Sequence, residues 1–348
     1  MYFEPNRKRK RKKGKGPEFN FGQMLETSNE LLHQIKVTKG LQKIYDITDT
    51  PSLISFTLKT AAYLPIILWK MRNFEEIKSK RFWYTNRENK PIEGIMYGPE
   101  GNEPLPLIAF DSGYQRDLFN FSIVGKVIAS LGYRTFSVRS KNELKGTEAD
   151  DYMDAMDYLR TSYPGNDSIG NTSAVVGVSG GNIVVYRSCS SADFVRRHSV
   201  RCAVSIAPFA DLAEQFTYMK KILKQNSLPD NVREVLEEYN KYVESLGVTS
   251  TTSDPKMFEN GSPITYCKDI LVSILNIHGI KDKIVPASGS LQINKEMKKH
   301  RKRIQTVLTP GEGIHGDLSK WKKELIPTIG LGASIVYAYT FLKKQLKA

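Results

Sequence analysis

From Arg81 onward, short apolar runs alternate with segments of helical period, and nothing else in the chain constrains its fold as strongly. Phe82–Thr85 and Ile92–Tyr97 read as a strand pair around the turn-like Asn86–Lys90. Leu105–Phe110, Thr135–Arg139, Ala174–Val178, Cys202–Ala207, Ile270–Ile277 and Ile304–Leu308 read as further strands. Between and after them, Phe119–Leu131, Ala149–Tyr163, Gly181–Ser190, Leu212–Leu246, Ser288–His300 and Thr328–Leu346 read as helical. Parallel strands need long crossovers, so this rhythm predicts an α/β fold: a mostly parallel, doubly wound sheet with helices on both faces. The stretch from about 211 to 260 breaks the rhythm and reads as a helical insertion. No internal repeat of solenoid or propeller type is evident.

The part before the alternation differs in composition. The expected organisation is a basic, disordered tail over 1–20, a helical extension over 21–78, and an α/β domain over 79–348. Within the extension, Met24–Ile47 carries apolar residues at roughly helical spacing. Leu53–Trp69 is the most apolar stretch of the chain, but Lys59 lies inside it and Pro65 near its end. That suits a helix packed on the protein body better than a membrane span, with membrane-surface contact as the second expectation.

The 348 residues carry a net charge of +14. Charge of this size invites a nucleic-acid reading, but it is concentrated. The eight cations of Arg7–Lys15 and the five of Lys298–Arg303 hold thirteen of the fourteen net charges. The body is close to neutral. Like charges at the density of Arg7–Lys15 repel, hence the expected disorder. Such a run suits nonspecific contact with nucleic acid or an anionic membrane, and no aromatic interleaving supports base recognition. Cys189, Cys202 and Cys267 are too few and too scattered for a disulfide framework or a zinc site. No secretory signal follows the basic run. The expected location is therefore cytoplasmic.

The sharpest local signal is Val175-Val176-Gly177-Val178-Ser179-Gly180-Gly181-Asn182, a G-x-S-x-G pattern between a buried strand and a helix. In that setting the serine sits on a tight, strained turn, and glycines flank it because neighbouring backbones leave no room for a Cβ. Ser179 Oγ would stand above the sheet at a helix N-terminus, where backbone N–H groups favour developing negative charge.

A serine nucleophile needs a base, and five histidines can be weighed. His33 lies outside the alternating region, His198 in a basic stretch, and His300 within the second charge run. His278 directly follows a strand, and its expected part is to help set the adjacent loop. His315, in the Gly311–Gly316 loop after the last strand, is the expected base, because functional groups of doubly wound sheets collect at the carboxyl ends of strands. Asp282, in the turn after Ile277-His278-Gly279, is the expected acid, with Asp269 and Asp317 as weaker alternates.

These motifs resemble the α/β-hydrolase superfamily, in particular its prolyl oligopeptidase-like and dienelactone hydrolase-like branch. The residues carrying the resemblance are Gly177–Gly181, Ser262-Pro263-Ile264-Thr265-Tyr266, His278-Gly279 through Asp282 to Val285-Pro286, and His315-Gly316, and it covers roughly 80–348. It implies an α/β-hydrolase fold with Ser179 as nucleophile, Asp282 as acid and His315 as base. The Gly180 and Tyr114 N–H groups would form the oxyanion hole. One feature departs: Ser112 stands where the family pattern has a histidine. The implied chemistry is acyl transfer, with no metal or organic cofactor. A propeller of the prolyl oligopeptidase type does not fit the short, helical region before Arg81. Cleavage of a small carboxylic ester or thioester is thus expected ahead of peptide cleavage. The 211–260 insertion, with Phe216, Tyr218, Met219 and Tyr239, would form a cap shaping the acyl pocket. The alternative is a non-catalytic hydrolase-fold protein that binds through its basic tail.

Overall fold

The computed structural model describes residues 62–63, 65–67, 69–113, 118–140, 146–226, 228–315 and 325–347. The basic tail, the Met24–Ile47 segment with His33, and Tyr114, Gly316 and Asp317 lie outside these residues.

An eight-stranded sheet forms the centre, in the order β1-β2-β4-β3-β5-β6-β7-β8. The elements follow in chain order: β1 (Lys78–Thr85), β2 (Pro91–Gly98), β3 (Leu105–Asp111), α1 (Leu118–Ser130), β4 (Arg134–Val138), α2 (Thr147–Thr161) and β5 (Ile169–Val178). Then come α3 (Asn182–Ser190), α4 (Ala192–Arg197), β6 (Val200–Ile206), α5 (Leu212–Ile222), α6 (Asp230–Ser245), α7 (Pro255–Asn260) and α8 (Pro263–Tyr266). β7 (Ser273–Gly279), α9 (Ser288–Lys299), β8 (Ile304–Thr309) and α10 (Leu325–Leu346) complete the chain.

β1 pairs antiparallel with β2, and β2 antiparallel with β4. Every other pairing is parallel. Two cores follow from the two faces. On one, Leu107, Phe136 and Val175 meet Tyr152 and Met156 of α2 and Tyr186 of α3. On the other, Ile108, Val176, Val204 and Leu275 meet α10 through Val336 and Tyr337, and α1 through Ala129. Burial at this scale, roughly 25 cal/mol per Å² of apolar surface, is what holds the layers together. Ile67, from the helix between 62 and 70, is buried in the second core, so that helix packs on the body.

Several boundaries differ from expectation, and three of the differences have a plain physical reason. β1 starts at Lys78, because a sheet edge tolerates exposed charge and Lys78, Ser79, Lys80 and Arg81 are all exposed. β7 starts at Ser273. Ile270 and Val272 are buried from the preceding turn rather than from a strand. The insertion is not one helix. α5 begins on an Asp211 cap, whose carboxylate accepts from the Ala213 and Glu214 amides. It is separated from α6 by a segment ending in Pro229. Phe216, Met219, Val232, Leu236 and Phe258 give the insertion its own small core, which reaches α3 through Ile183 and the loop after β7 through Val285.

Candidate active site

β5 ends at Val178 and the chain turns at once. Ser179 has φ +53°, a left-handed backbone unusual for a residue with a Cβ. Ser179–Gly181 form a short 3-10 turn leading into α3. A Cβ on Gly177 would lie 2.5 Å from Gly181 O, and one on Gly181 would lie 2.3 Å from Asp111 O. Both glycines are therefore required by close backbone approach, as the motif implied. The turn is braced by Asn182, fully buried, whose amide donates to Ser179 O (2.9 Å) and Ile206 O (2.8 Å). That brace ties β5 to β6 across the turn. Asn182 stood in the motif, but only the packing shows its work.

The loop after β3 closes against the same turn. Gly113 has φ +86°, and a Cβ there would sit 2.6 Å from Val178 O and 2.9 Å from the Gly180 and Gly181 nitrogens. Its amide bonds Asp111 Oδ1 (2.9 Å). The backbone just before residue 114 thus lies beside the Gly180 N–H. Tyr114 itself is outside the described residues.

Asp282 follows β7 and is buried. Its Oδ1 accepts from the Ile284 and Val285 amides, both at 2.9 Å. Its Oδ2 accepts from His315 Nδ1 at 2.6 Å. Burial alone would raise the carboxyl pKa. The His315 charge and hydrogen bond, with His278 Nε2 3.5 Å from the same carboxylate oxygen, outweigh burial and hold Asp282 far below the ordinary carboxylate range. His315 is half-buried in a 3-10 turn, Gly313–His315, beyond β8.

The two loops meet backbone to backbone. A Cβ on Gly279 would lie 2.4 Å from Gly313 N, and the Ile280 and Lys281 amides donate to Thr309 O and Gly311 O. His278 has the supporting position expected of it. It is buried, with Nδ1 2.8 Å from Ser290 Oγ and Nε2 2.9 Å from Val285 O. A carbonyl can only accept, so Nε2 carries a proton and donates it to Val285 O. From the insertion, Gln215 Nε2 and Tyr218 Oη donate to Ile284 O and Lys283 O. The acid loop is therefore fixed from both sides, a support that residue type alone did not signal.

The other candidates lie elsewhere. Asp269 precedes β7, at the opposite end of that strand. His300 pairs with Glu296 at 2.9 Å. His198 is buried ahead of β6, at the far end of the sheet. No group of His, Cys, Asp and Glu among the described residues forms a metal site. The arrangement offers a strained serine at a helix N-terminus and an aspartate-held histidine, both at the carboxyl end of one parallel sheet.

Comparison with known proteins bears on the family and the fold. A model of the prolyl oligopeptidase family matches residues 132–323, more than half of the chain. No curated protein matches the sequence. The fold is shared with solved structures at low identity. An acylaminoacyl peptidase of Pyrococcus horikoshii gives a TM-score of 0.57 at 14% identity, covering 81% of this chain and 44% of that one. An esterase of Pyrococcus furiosus gives 0.54 at 16% identity, covering 79% and 93%. A puromycin-hydrolyzing peptidase of Mycobacterium tuberculosis gives 0.54 at 15% identity, covering 77% and 39%. The chain thus spans less than half the length of the acylaminoacyl peptidases that it matches.

Proposed function

The chain belongs to the prolyl oligopeptidase family, and on that premise we propose that it is a serine hydrolase cleaving a carboxylic ester or thioester through Ser179, His315 and Asp282. The observation that carries the proposal is the 2.6 Å hydrogen bond from His315 Nδ1 to the buried Asp282. With Nδ1 committed to the carboxylate, Nε2 is the nitrogen that takes a proton. Ser179 Oγ attacks the acyl carbonyl carbon as His315 Nε2 accepts the hydroxyl proton. The carbonyl oxygen becomes an oxyanion held by the Gly180 N–H and the amide of residue 114. His315 returns the proton to the leaving alcohol or thiol. Water, deprotonated by the same nitrogen, then releases the acid and restores the serine. Asp282 stays ionised throughout and stabilises the imidazolium.

One observation favours an ester over a peptide: the insertion core ends against the acid loop at Val285, where a cap would border an acyl pocket. Peptide cleavage is the second reading, on the family's own description.

The test is a serine-directed fluorophosphonate probe on the folded wild type and on Ser179→Ala, followed by a panel of esters, thioesters and aminoacyl amides. Labelling of wild type alone, with turnover of esters, is the expected result. A folded wild type that takes no label would overturn the catalytic reading. Preferential turnover of amides would replace the ester reading with the peptidase one.

A further inference from the structure

The face of the sheet covered by α1 and α10 carries most of the exposed large apolar side chains among the described residues. On the helix between 62 and 70, Ile67 is buried and Tyr63 half-buried. Ala62, Pro65, Ile66 and Trp69 are exposed on the opposite side, Ile66 at 45% and Trp69 at 59%. Those positions fall one helical turn apart, so the outward side of this helix is apolar rather than charged. Beyond it, Lys126 of α1 lies 5.3 Å over the Phe74 ring and 3.8 Å from Glu75, which brings α1 alongside. Ile123, one turn before Lys126, is 67% exposed. At the edge of the sheet Trp83 is 60% exposed. Its register partner is Glu93, and Glu93 shares its side of β2 with Ile95 and Tyr97 of the same core, so Trp83 lies on this face too.

Cations are interspersed with these side chains. The Arg72 guanidinium stacks 3.8 Å over the Trp69 ring. Lys70 and Lys126 flank the helix and α1, while Arg81 and Arg139 both pair with Glu93 near Trp83. Five cations face three carboxylates, Glu75, Glu76 and Glu93, with the Lys78–Glu100 ion pair beside Lys70 and Glu76 adding one charge of each sign. Isolated apolar side chains are ordinary on a protein surface. Two tryptophans and two isoleucines on one face, among excess basic residues, are the composition of an interfacial anchor. Indole rings sit at headgroup depth and Lys/Arg meet the lipid phosphates. A dimer core would instead be depleted of charge, and outward isoleucines offer nothing to a nucleic-acid backbone.

We propose that this face docks on the surface of an anionic lipid bilayer. The contact proposed is with the bilayer surface: among the described residues no helix is long and apolar enough to span a membrane. The inference concerns a surface and does not depend on the catalytic reading.

The test is flotation of the full chain with vesicles of phosphatidylglycerol and phosphatidylcholine in equal parts, or of phosphatidylcholine alone. Tryptophan emission is recorded alongside. Wild type is expected to float with the anionic vesicles, with a blue-shifted emission. The double variant Ile66→Ser, Trp69→Ser should bind about tenfold more weakly or worse, because two membrane-buried apolar side chains are lost. Ile123→Ser, on a separate helix, gives a second reading should the double variant not fold. Failure of wild type to float would overturn the proposal. So would unchanged binding by the folded variants, which would assign the affinity to Arg7–Lys15. Conversion of a wild-type dimer into a monomer by these substitutions would give the face to a second copy instead.

Discussion

Two histidine–aspartate pairs stand at opposite ends of the sheet, and they are built inversely. Beyond β7 and β8, the aspartate is buried and the histidine half-exposed: Asp282 is saturated by two amides and by His315. Ahead of β6, the histidine is buried and the aspartate half-exposed. His198 Nε2 comes within 3.1 Å of Asp157 Oδ1 but out of line for a hydrogen bond, and Arg197 claims the same carboxylate oxygen. Burial pushes His198 down to about 4, with Asp157 opposing and the Arg160 and Arg197 charges adding to the fall. A buried carboxylate held by fixed dipoles can support an imidazolium beside it. A buried imidazole among arginines stays neutral and does not gain a proton near neutral pH. Identical residue types therefore serve different ends, decided by which partner is dehydrated.

The largest effect expected separates the pairs directly. Asp282→Asn should lower kcat by about 10⁴-fold, since the imidazole loses its tautomer control. Asp157→Asn should leave ester turnover within about twofold, because that pair lies away from the strand ends that carry the serine. Equal losses in steady-state kinetics would collapse the distinction.

Next in size is Gly113→Ala. A Cβ at φ +86° against Val178 O costs about 1–3 kcal/mol of strain. It also displaces the loop beside the Gly180 amide, with an expected loss of about 10²-fold in kcat. The expected pattern is a modest fall in the chemical denaturation midpoint and little change in KM. Wild-type kcat in this variant would remove that loop from the site.

His278→Gln sharpens the comparison from within the first pair. It should lower kcat by about tenfold or more through a less rigid Asp282 loop, and move the acid limb of the pH–rate profile. An unmoved profile with lower stability alone would make His278 purely structural.

The smallest effect concerns acid stability. An unfolded histidine takes up a proton near pH 6.5, whereas folded His198 refuses it until about pH 4. The unfolded state thus binds more protons across that window, and stability declines as pH falls from 6.5 to 4. His198→Gln should flatten that decline in denaturant titrations. Asp282 is shifted in the same direction, downward, but from a lower starting point. Its contribution is present above the ordinary carboxylate range and is lost as pH falls from that range through its own lowered pKa, so its effect lies mostly below the 6.5 to 4 window.

Much of this architecture was legible before any coordinates. Strand and helix periods find every strand from β3 to β8, with ends within three residues except the start of β5, whose polar Gly170–Ser173 half has no apolar run; burial on a parallel sheet writes continuous apolar runs elsewhere. The Ser179 turn was legible for a local reason: Gly177 and Gly181 are close in sequence to the serine that they accommodate. The order Ser179, Asp282, His315 was read from loops following strands. β1 was read short because an edge strand needs no apolar run at its exposed end.

What only the tertiary structure decided is adjacency. Periodicity records which side of an element is buried, not which strand lies next to it. The sheet order and the antiparallel β1–β2–β4 edge came from packing. So did the Asn182 brace to Ile206, the seating of Gly113 against the serine turn, and the meeting of Gly279 with Gly313. The last three contacts join residues at least 24 positions apart, and each lands on a backbone atom that every residue possesses. Side-chain identity carries no trace of such contacts until the chain has folded. The hydrogen bond between His315 and Asp282 belongs to both accounts: the two residue types were visible in the sequence, and the 2.6 Å between them exists only because two parallel strands end side by side.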